Sequence, residues 1–389
     1  VAPKSEQKPA VLMLHNRYRE PGGEERAVTE TVELLSARGH EVELIERSSK
    51  ELATARGRLR AGAAMLAGGL EPGDVRAAVE RTGAEIAHAH NINPLLGPRA
   101  LAAARDAGAK LVMHLHNYRL FCAVAVAYRD GGICTRCHKR NTLPGVRLRC
   151  RGNLPEAAVY GAGLSLQQKH VLELVDRFIV PSRAAAERLA DFGMPPERLE
   201  MLPNFLVDAQ FAQESHPANG KYALFAGRLT EEKGVDTAIE AARRAAVPLL
   251  IAGSGPDADR LRRLASDGTA QLVGRLSPQA IADARRRAAF AVVPSRWDEP
   301  CPYAAIEAMA AGLPVLGSQV GGLPEMLGEE ATIPARAVDQ WAGAMGELWR
   351  DREARRARGA AALQRARELF GADRFYSGLM EIYERAQHS

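Results

Sequence analysis

At 389 residues the chain is too long for one ordinary core and suits two domains of similar size. Apolar residues make up 46% and charged residues 25%, which excludes wholesale disorder, collagen and a coiled coil. The net charge of +5 is mild, and no unbroken apolar run reaches the ~20 residues of a membrane helix.

The polar start, 1–9, carries Lys4, Glu6 and Lys8 and lacks the apolar stretch of a signal peptide, so the expectation is a cytoplasmic protein. Residues 10–15 form an apolar run suited to a buried strand. Residues 24–38 place Ala27, Val28, Leu34 and Leu35 at helical spacing, with Gly39 as a stop signal. Residues 41–46 alternate as a second strand, so the chain opens with a βαβ unit whose loop is 16–23. A strand over 84–90, a helix over 98–107 and a strand over 110–115 continue the pattern. After an irregular segment come a strand at 177–180 and a helix at 183–192. Residues 210–221 are polar and read as a linker.

The alternation then restarts. Strands are expected at 222–226, 248–252, 271–273, 290–293 and 314–316, with helices at 234–246, 257–265, 278–288 and 303–311. The tail, 339–387, is almost all helical. The expected fold is α/β, with two Rossmann-like doubly wound domains facing a central cleft at the C-terminal ends of their strands. The domains fall at 1–207, with a Cys-rich insertion at about 120–152, and at 208–366. Residues 367–389 form a C-terminal helix able to pack back on the first domain.

Three segments carry chemistry. In 296–325, Glu299 stands before Pro300 and Pro302 and so lies in a loop, while Glu307 lies eight positions on, in a helix starting at about Pro302. The N–H groups of Tyr303 and Ala304 would point out of that helix toward an anion. Carboxylates suit sugar and ribose hydroxyls, and amides suit phosphate, which together fit a nucleotide-sugar. In 227–234, Gly227 permits close approach, and Arg228 and Lys233 place two cations in one loop, able to neutralise a diphosphate. The bland alternative is an ordinary surface loop. In the first loop Pro21, Gly22 and Gly23 precede Glu24 and Glu25, and paired glycines there can admit a phosphate. Neither G-x-G-x-x-G nor GK[ST] is present, and Gly253-Ser254-Gly255 is half a fingerprint.

These residues resemble retaining glycosyltransferase family 4, of the GT-B fold, over about 10–383. Glu299-x7-Glu307, followed by AMAAGLPV and GGLPE, is similar to the family's EX7E signature, and GRLTEEKG to its phosphate loop. VPSRAAAERL, LPNF at 202–205, and AGSGP followed by LVGR also resemble family segments. Pro302 and Phe205 depart from the pattern, where glycine is usual. The resemblance implies that Arg228 and Lys233 hold the leaving diphosphate and that Glu307 accepts from ribose hydroxyls. It implies that Glu299 binds the transferred sugar, and that amides about Pro302, Tyr303 and Ala304 face sugar or phosphate. Gly22 and Gly23 would close over the diphosphate, His116 would lie near the sugar, and Gly227, Gly253, Arg275 and Leu276 would line the donor. A packed or capping histidine is the alternative for His116. His15, His88, His90 and His114 are assigned no role.

Cys122, Cys134, Cys137 and Cys150 are spaced C-x11-C-x2-C-x12-C, which suits a closed tetrahedral Zn site. Disulfides, free thiols and, from CTRCH, haem attachment are the alternatives. No acid stands between Asp130 and Glu156, whereas Arg136, Lys139, Arg140, Arg147, Arg149 and Arg151 do. That patch suits a phosphate-bearing acceptor or peripheral contact with the inner face of a membrane.

The reading is a retaining glycosyltransferase that moves a sugar from a UDP- or GDP-sugar to a lipid-linked or phosphate-bearing glycan. It expects no catalytic metal and disfavours nucleic acid. The rival readings are a GT-B nucleotide-sugar epimerase or phosphorylase, and, from another class, a zinc-ribbon nucleic-acid-binding protein.

Overall fold

The computed structural model describes residues 8–18, 22–49, 52, 54–212 and 216–389. Pro21, the charged start through Lys4 and Glu6, and the middle of the linker lie outside the described residues.

The apolar run after Ala10 is β1 (Val11–Arg17), buried over its first six residues. Parallel to it run β2 (Val42–Ser48), β3 (Ile86–Ala89) and β4 (Lys110–His114). A short antiparallel hairpin, β5 (Tyr128–Arg129) and β6 (Gly132–Ile133), interrupts the alternation. The first sheet resumes with β7 (Arg177–Val180) and β8 (Leu199–Met201), giving the order β2-β1-β3-β4-β7-β8. The second half contributes β9 (Ala223–Ala226), β10 (Leu249–Ala252), β11 (Ala270–Gly274), β12 (Phe290–Val293), β13 (Val315–Ser318) and β14 (Thr332–Ile333). Their order is β11-β10-β9-β12-β13-β14, also parallel throughout. Helices cover both sheets, as parallel sheets require.

Strand order reverses between β1 and β3 in the first sheet and between β9 and β12 in the second. Those are the crevices where ligands bind in open parallel sheets. The loops following β9 and β12 are the ones that carry residues 227–234 and 294–302.

Helix starts follow side-chain chemistry. Ser182 and Ser277 accept from the N–H of Ala185 and Ala280, each at 3.2 Å, opening helices Arg183–Asp191 and Pro278–Arg286. Such caps contribute about 1 kcal/mol each. Among the helices not legible in the sequence are the short Leu143–Arg147 and Leu323–Leu327, Ala55–Ala67, Gly73–Thr82 and the 21-residue Leu154–Leu174. The last lacks a clean apolar stripe, because Gln167 and Gln168 lie on its buried face while Leu154 and Leu166 are exposed.

The chain crosses between sheets twice. The tail forms helices Val338–Arg350, Arg352–Phe370 and Ala372–Gln387. The last one returns to the first sheet. Its Phe375, Leu379, Ile382 and Tyr383 pack with Met13, Ile86, Val112 and Ile179. Phe205, at the outward crossing, stacks on Phe375 with centroids 4.2 Å apart. The bulky residue where the family favours glycine thus fills the crossover.

Candidate active site

In the second sheet, Gly253 has φ +154°, and a Cβ there would stand 1.8 Å from the Gly227 carbonyl oxygen. Only glycine lets the loops after β9 and β10 meet so closely. Arg275 is exposed and Leu276 half-buried at the rim beyond β11. Arg228 is 60% exposed, 3.4 Å from Glu232, leaving most of its guanidinium open to the cleft. Lys233 instead points inward and pairs with Glu299, whose side chain is 4% exposed. Glu299 also accepts from Ser295 Oγ at 2.6 Å. The site thus holds a cation and a carboxylate already in contact, in a desolvated loop.

Pro302 stands just outside its helix, which runs Tyr303–Ala310, one residue later than the sequence suggested. Ala305 and Ile306 donate to the Pro302 carbonyl, and the N–H groups of Tyr303 and Ala304 have no partner among the described residues. Glu307 pairs with Arg285 of its own domain and with Arg26 of the other. Arg26 lies over the Tyr303 ring, 4.5 Å from its centroid. A Cβ on Gly23 would be 3.1 Å from Tyr303 Cδ2. Gly23 and the start of the Tyr303 helix therefore face one another. Burial raises the Tyr303 phenol far above its usual range.

Several residues missed in the sequence join the two domains. Glu325 of GGLPE accepts from the N–H groups of Arg183 and Ala184 at 3.0 and 2.8 Å, capping a helix of the first domain. Arg188 pairs with Asp298 at 2.7 Å, and Tyr118 Oη donates to the Asp298 carbonyl at 2.9 Å. Asn204 Nδ2 donates to the Cys301 carbonyl at 2.8 Å. The loop bearing Glu299 is thereby held from both sides. Local charge runs gave no sign of these pairs, because the partners are over 90 residues apart.

The opposing pocket is lined by Tyr18, Glu24, His90, Asn91, Asn93, His116, Asn117 and Arg119. Glu24 accepts from Tyr18 Oη at 2.8 Å and Asn117 Nδ2 at 2.9 Å. Arg119 donates to Tyr18 Oη and Tyr160 Oη at 3.2 and 3.0 Å. Burial raises Glu24 above the usual carboxylate range. Burial also works against Glu25, but His15 at 3.8 Å and the N–H groups of Gly22 and Tyr18 outweigh it and hold Glu25 low.

His116 Nε2 lies 2.8 Å from His90 Nδ1. His88, His90, His114 and His116 form a stack, and burial drives each well below 6.5, His88 and His116 to about 3. They are neutral at pH 7. His88, His90 and His114 have ring nitrogens within 4.8 Å of one another. Their rings lie 14–29° from parallel, so the in-plane lone pairs run side by side rather than toward one ion.

The four cysteines Cys122, Cys134, Cys137 and Cys150 line one cavity away from this cleft. The basic run is partly engaged internally: Arg136 with Asp130, Arg140 with the Ser165 carbonyl and Arg151 with Glu156.

Two facing, doubly wound domains with ligand loops at both switch points define a GT-B protein. The family model for Glycosyltransferase Family 4 matches residues 21–210, and that for Glycosyl transferases group 1 matches 207–365. The chain belongs to glycosyltransferase family 4. A D-inositol 3-phosphate glycosyltransferase of Mycobacteroides abscessus is 32% identical over 236 residues, 54% of this chain and 52% of that protein. The protein of the same name from Mycolicibacterium smegmatis is 30% identical over 66% of this chain and 62% of its own length. The chain thus spans about half to two thirds of the length of the curated relatives it matches. Among solved structures, sucrose-phosphate synthase from Thermosynechococcus elongatus superposes with TM-score 0.70 at 18% identity, over 97% of this chain and 99% of that one. Anabaena HepE in complex with UDP-glucose gives 0.65 at 16% identity, over 98% and 100%. No helix among the described residues is long and apolar enough to cross a membrane.

Proposed function

We propose that the chain transfers a sugar from a nucleoside-diphosphate donor to an acceptor hydroxyl with retention at the anomeric carbon. The observation that carries this reading is the convergence at the β9/β12 crevice. There an exposed Arg228, an inward Lys233–Glu299 pair and a helix mouth at Tyr303 meet the Gly22–Gly23 loop of the other domain.

In the reaction the bond between the anomeric carbon and the β-phosphate oxygen breaks, and its electron pair stays on that oxygen. The acceptor oxygen bonds to the anomeric carbon on the same face, and its proton passes to the departing phosphate. Negative charge builds on the diphosphate, so the main catalytic device is a set of cations fixed in place beforehand. Arg228 and Lys233 supply it. Glu307, which pairs with Arg26 and Arg285, is proposed to accept from the ribose hydroxyls, as the family resemblance implies. His116, which lines the opposing pocket beside His90, is proposed to lie near the transferred sugar.

The acceptor pocket combines Arg119 with Asn91, Asn93 and Asn117. That suits a polyol carrying a phosphate, and the names of the curated relatives point the same way. The basic run at 136–151 adds a route for a phosphate-bearing or lipid-linked acceptor. An epimerase would need no acceptor glycan, a phosphorylase would release sugar phosphate without a nucleotide, and a zinc-ribbon reading leaves most of the chain unexplained. The test is product analysis with UDP- and GDP-sugars, with and without inositol phosphates. Acceptor-dependent release of nucleoside diphosphate supports the reading. Sugar interconversion without an acceptor, or release of sugar phosphate, refutes it.

A further inference from the structure

We infer that Cys122, Cys134, Cys137 and Cys150 bind one structural Zn²⁺, and that this ion holds the β5–β6 hairpin against the phosphate loop of the second domain. The four residues are spread over a long, irregular segment, yet all line one cavity. None forms a disulfide. A Cβ at Gly145 would stand 3.4 Å from Cys137 Sγ, so glycine lets the backbone reach that sulfur.

The surrounding backbone points the same way. Ala125, Ala127, Lys139 and Arg149 have φ of 71°, 48°, 48° and 49°. Left-handed non-glycine residues cost about 1–3 kcal/mol each and persist only where surroundings fix them. Backbone bonds hold three of them, with Tyr118 donating to the Ala125 carbonyl, Cys134 to the Ala127 carbonyl and Lys139 to the Phe192 carbonyl, while regular structure in the segment is limited to two two-residue strands and one five-residue helix. Segments with so little regular structure are often stapled, and a metal is one such staple. Four thiolates give the closed tetrahedral set of a structural zinc site, with Zn–S about 2.3 Å. Binding releases the thiol protons. Among described residues the one cluster of three or more metal-type ligands with donor atoms within 4.8 Å is the histidine group. The sulfurs therefore stand wider, and draw together as they take the ion.

The hairpin reaches across the domain boundary. Tyr128 Oη donates to Glu231 at 3.3 Å, beside Lys233 in the phosphate loop. Arg336 donates to Tyr128 Oη at 3.0 Å and to the Gly131 carbonyl at 2.7 Å. An ion closing the segment behind Tyr128 thus fixes an element that touches the loop bearing Arg228 and Lys233.

The experiment is elemental analysis of the full chain purified under reducing conditions, with thiol counting before and after chelation. The expected result is about one zinc per chain, kept in Cys301→Ser and lost in Cys134→Ser and Cys137→Ser. Should the serine variants fail to fold, chelation of the unmodified chain decides. It is expected to lower Tm and expose four thiols, and added Zn²⁺ to reverse both. Hydrogen exchange should then rise together at 128–133 and 228–233. A metal-free chain with four reactive thiols that refuses zinc, a pair of disulfides, or iron with inorganic sulfide would overturn the site. Exchange rising only within 120–152 would overturn the link to the second domain.

Discussion

Lys233→Met isolates the most buried charge pair of the cleft. Lys233 is 17% exposed and Glu299 4%, so the substitution strands a carboxylate in a nearly dry loop. Breaking a buried pair in this way costs about 3–5 kcal/mol. Ser295 still donates to Glu299 at 2.6 Å, and a hydrogen bond to a charged group contributes about 1.5–3 kcal/mol. The expected loss is therefore at the lower end, about 3 kcal/mol. At about 2–4 °C per kcal/mol for domains of this size, Tm should fall by about 6–12 °C. Adding Glu299→Gln removes the stranded charge and keeps the Ser295 contact. The double variant should regain about 2 kcal/mol, a coupling typical of residues in contact. Transferase turnover should behave differently. Lys233→Met should lose about 10²-fold or more, as other electrostatic stabilisers do, and the double variant should not recover it. Thermal melts and initial rates on the three proteins read both quantities. A single variant that melts like the unmodified chain, or a double variant with restored turnover, refutes the reasoning.

Arg228→Ala should cut turnover by about 10²-fold while leaving Tm within ~1 °C, because Arg228 is largely exposed and makes only a weak pair with Glu232. Initial rates and a melt check this. Glu307→Gln should raise the Kd for nucleoside diphosphate measured by calorimetry, because Glu307 is the carboxylate proposed to accept from ribose. A raised Kd only for the sugar moiety would contradict the assignment. Phe375→Ala should cost about 3–5 kcal/mol, since the ring is buried against Phe205 at the crossover; denaturant unfolding measures it. Stability should also fall in acid. His88 is fully buried and titrates at about 3, against 6.5 unfolded. Between those values the unfolded chain binds more protons, so stability is full above about pH 6.5 and is lost as pH falls. The slope is about 1.4 kcal/mol per pH unit for each such histidine. His88→Asn should flatten the slope of unfolding free energy between pH 6.5 and 5.

What could be read from the chain divides along physical lines. The sheet strands after Ala10, Lys221 and Ala289 were legible because buried parallel strands are short apolar runs bounded by turn residues. The phosphate loop and the Glu299–Glu307 spacing were legible because their chemistry is local. Helix Leu154–Leu174 was not, since leucines on its exposed face and Gln167 and Gln168 on its buried face blur the amphipathic period. The partners of the named residues were also hidden. Nothing near Glu307 in the chain announces Arg26, and nothing near Glu299 announces that Lys233 would bind it rather than face solvent. The histidines at the ends of β3 and β4 were visible singly, but their stacking depends on two strands being neighbours.

The central claim is a nucleotide-sugar site built on the loops after β9 and β12. A thermal-shift titration with nucleoside diphosphates and their sugars, without added metal, tests it most directly, because ligands of the folded state raise Tm by mass action. The account predicts a saturable rise with one nucleotide base, abolished or sharply reduced in Arg228→Ala. A folded chain whose Tm responds to no nucleoside diphosphate would contradict it.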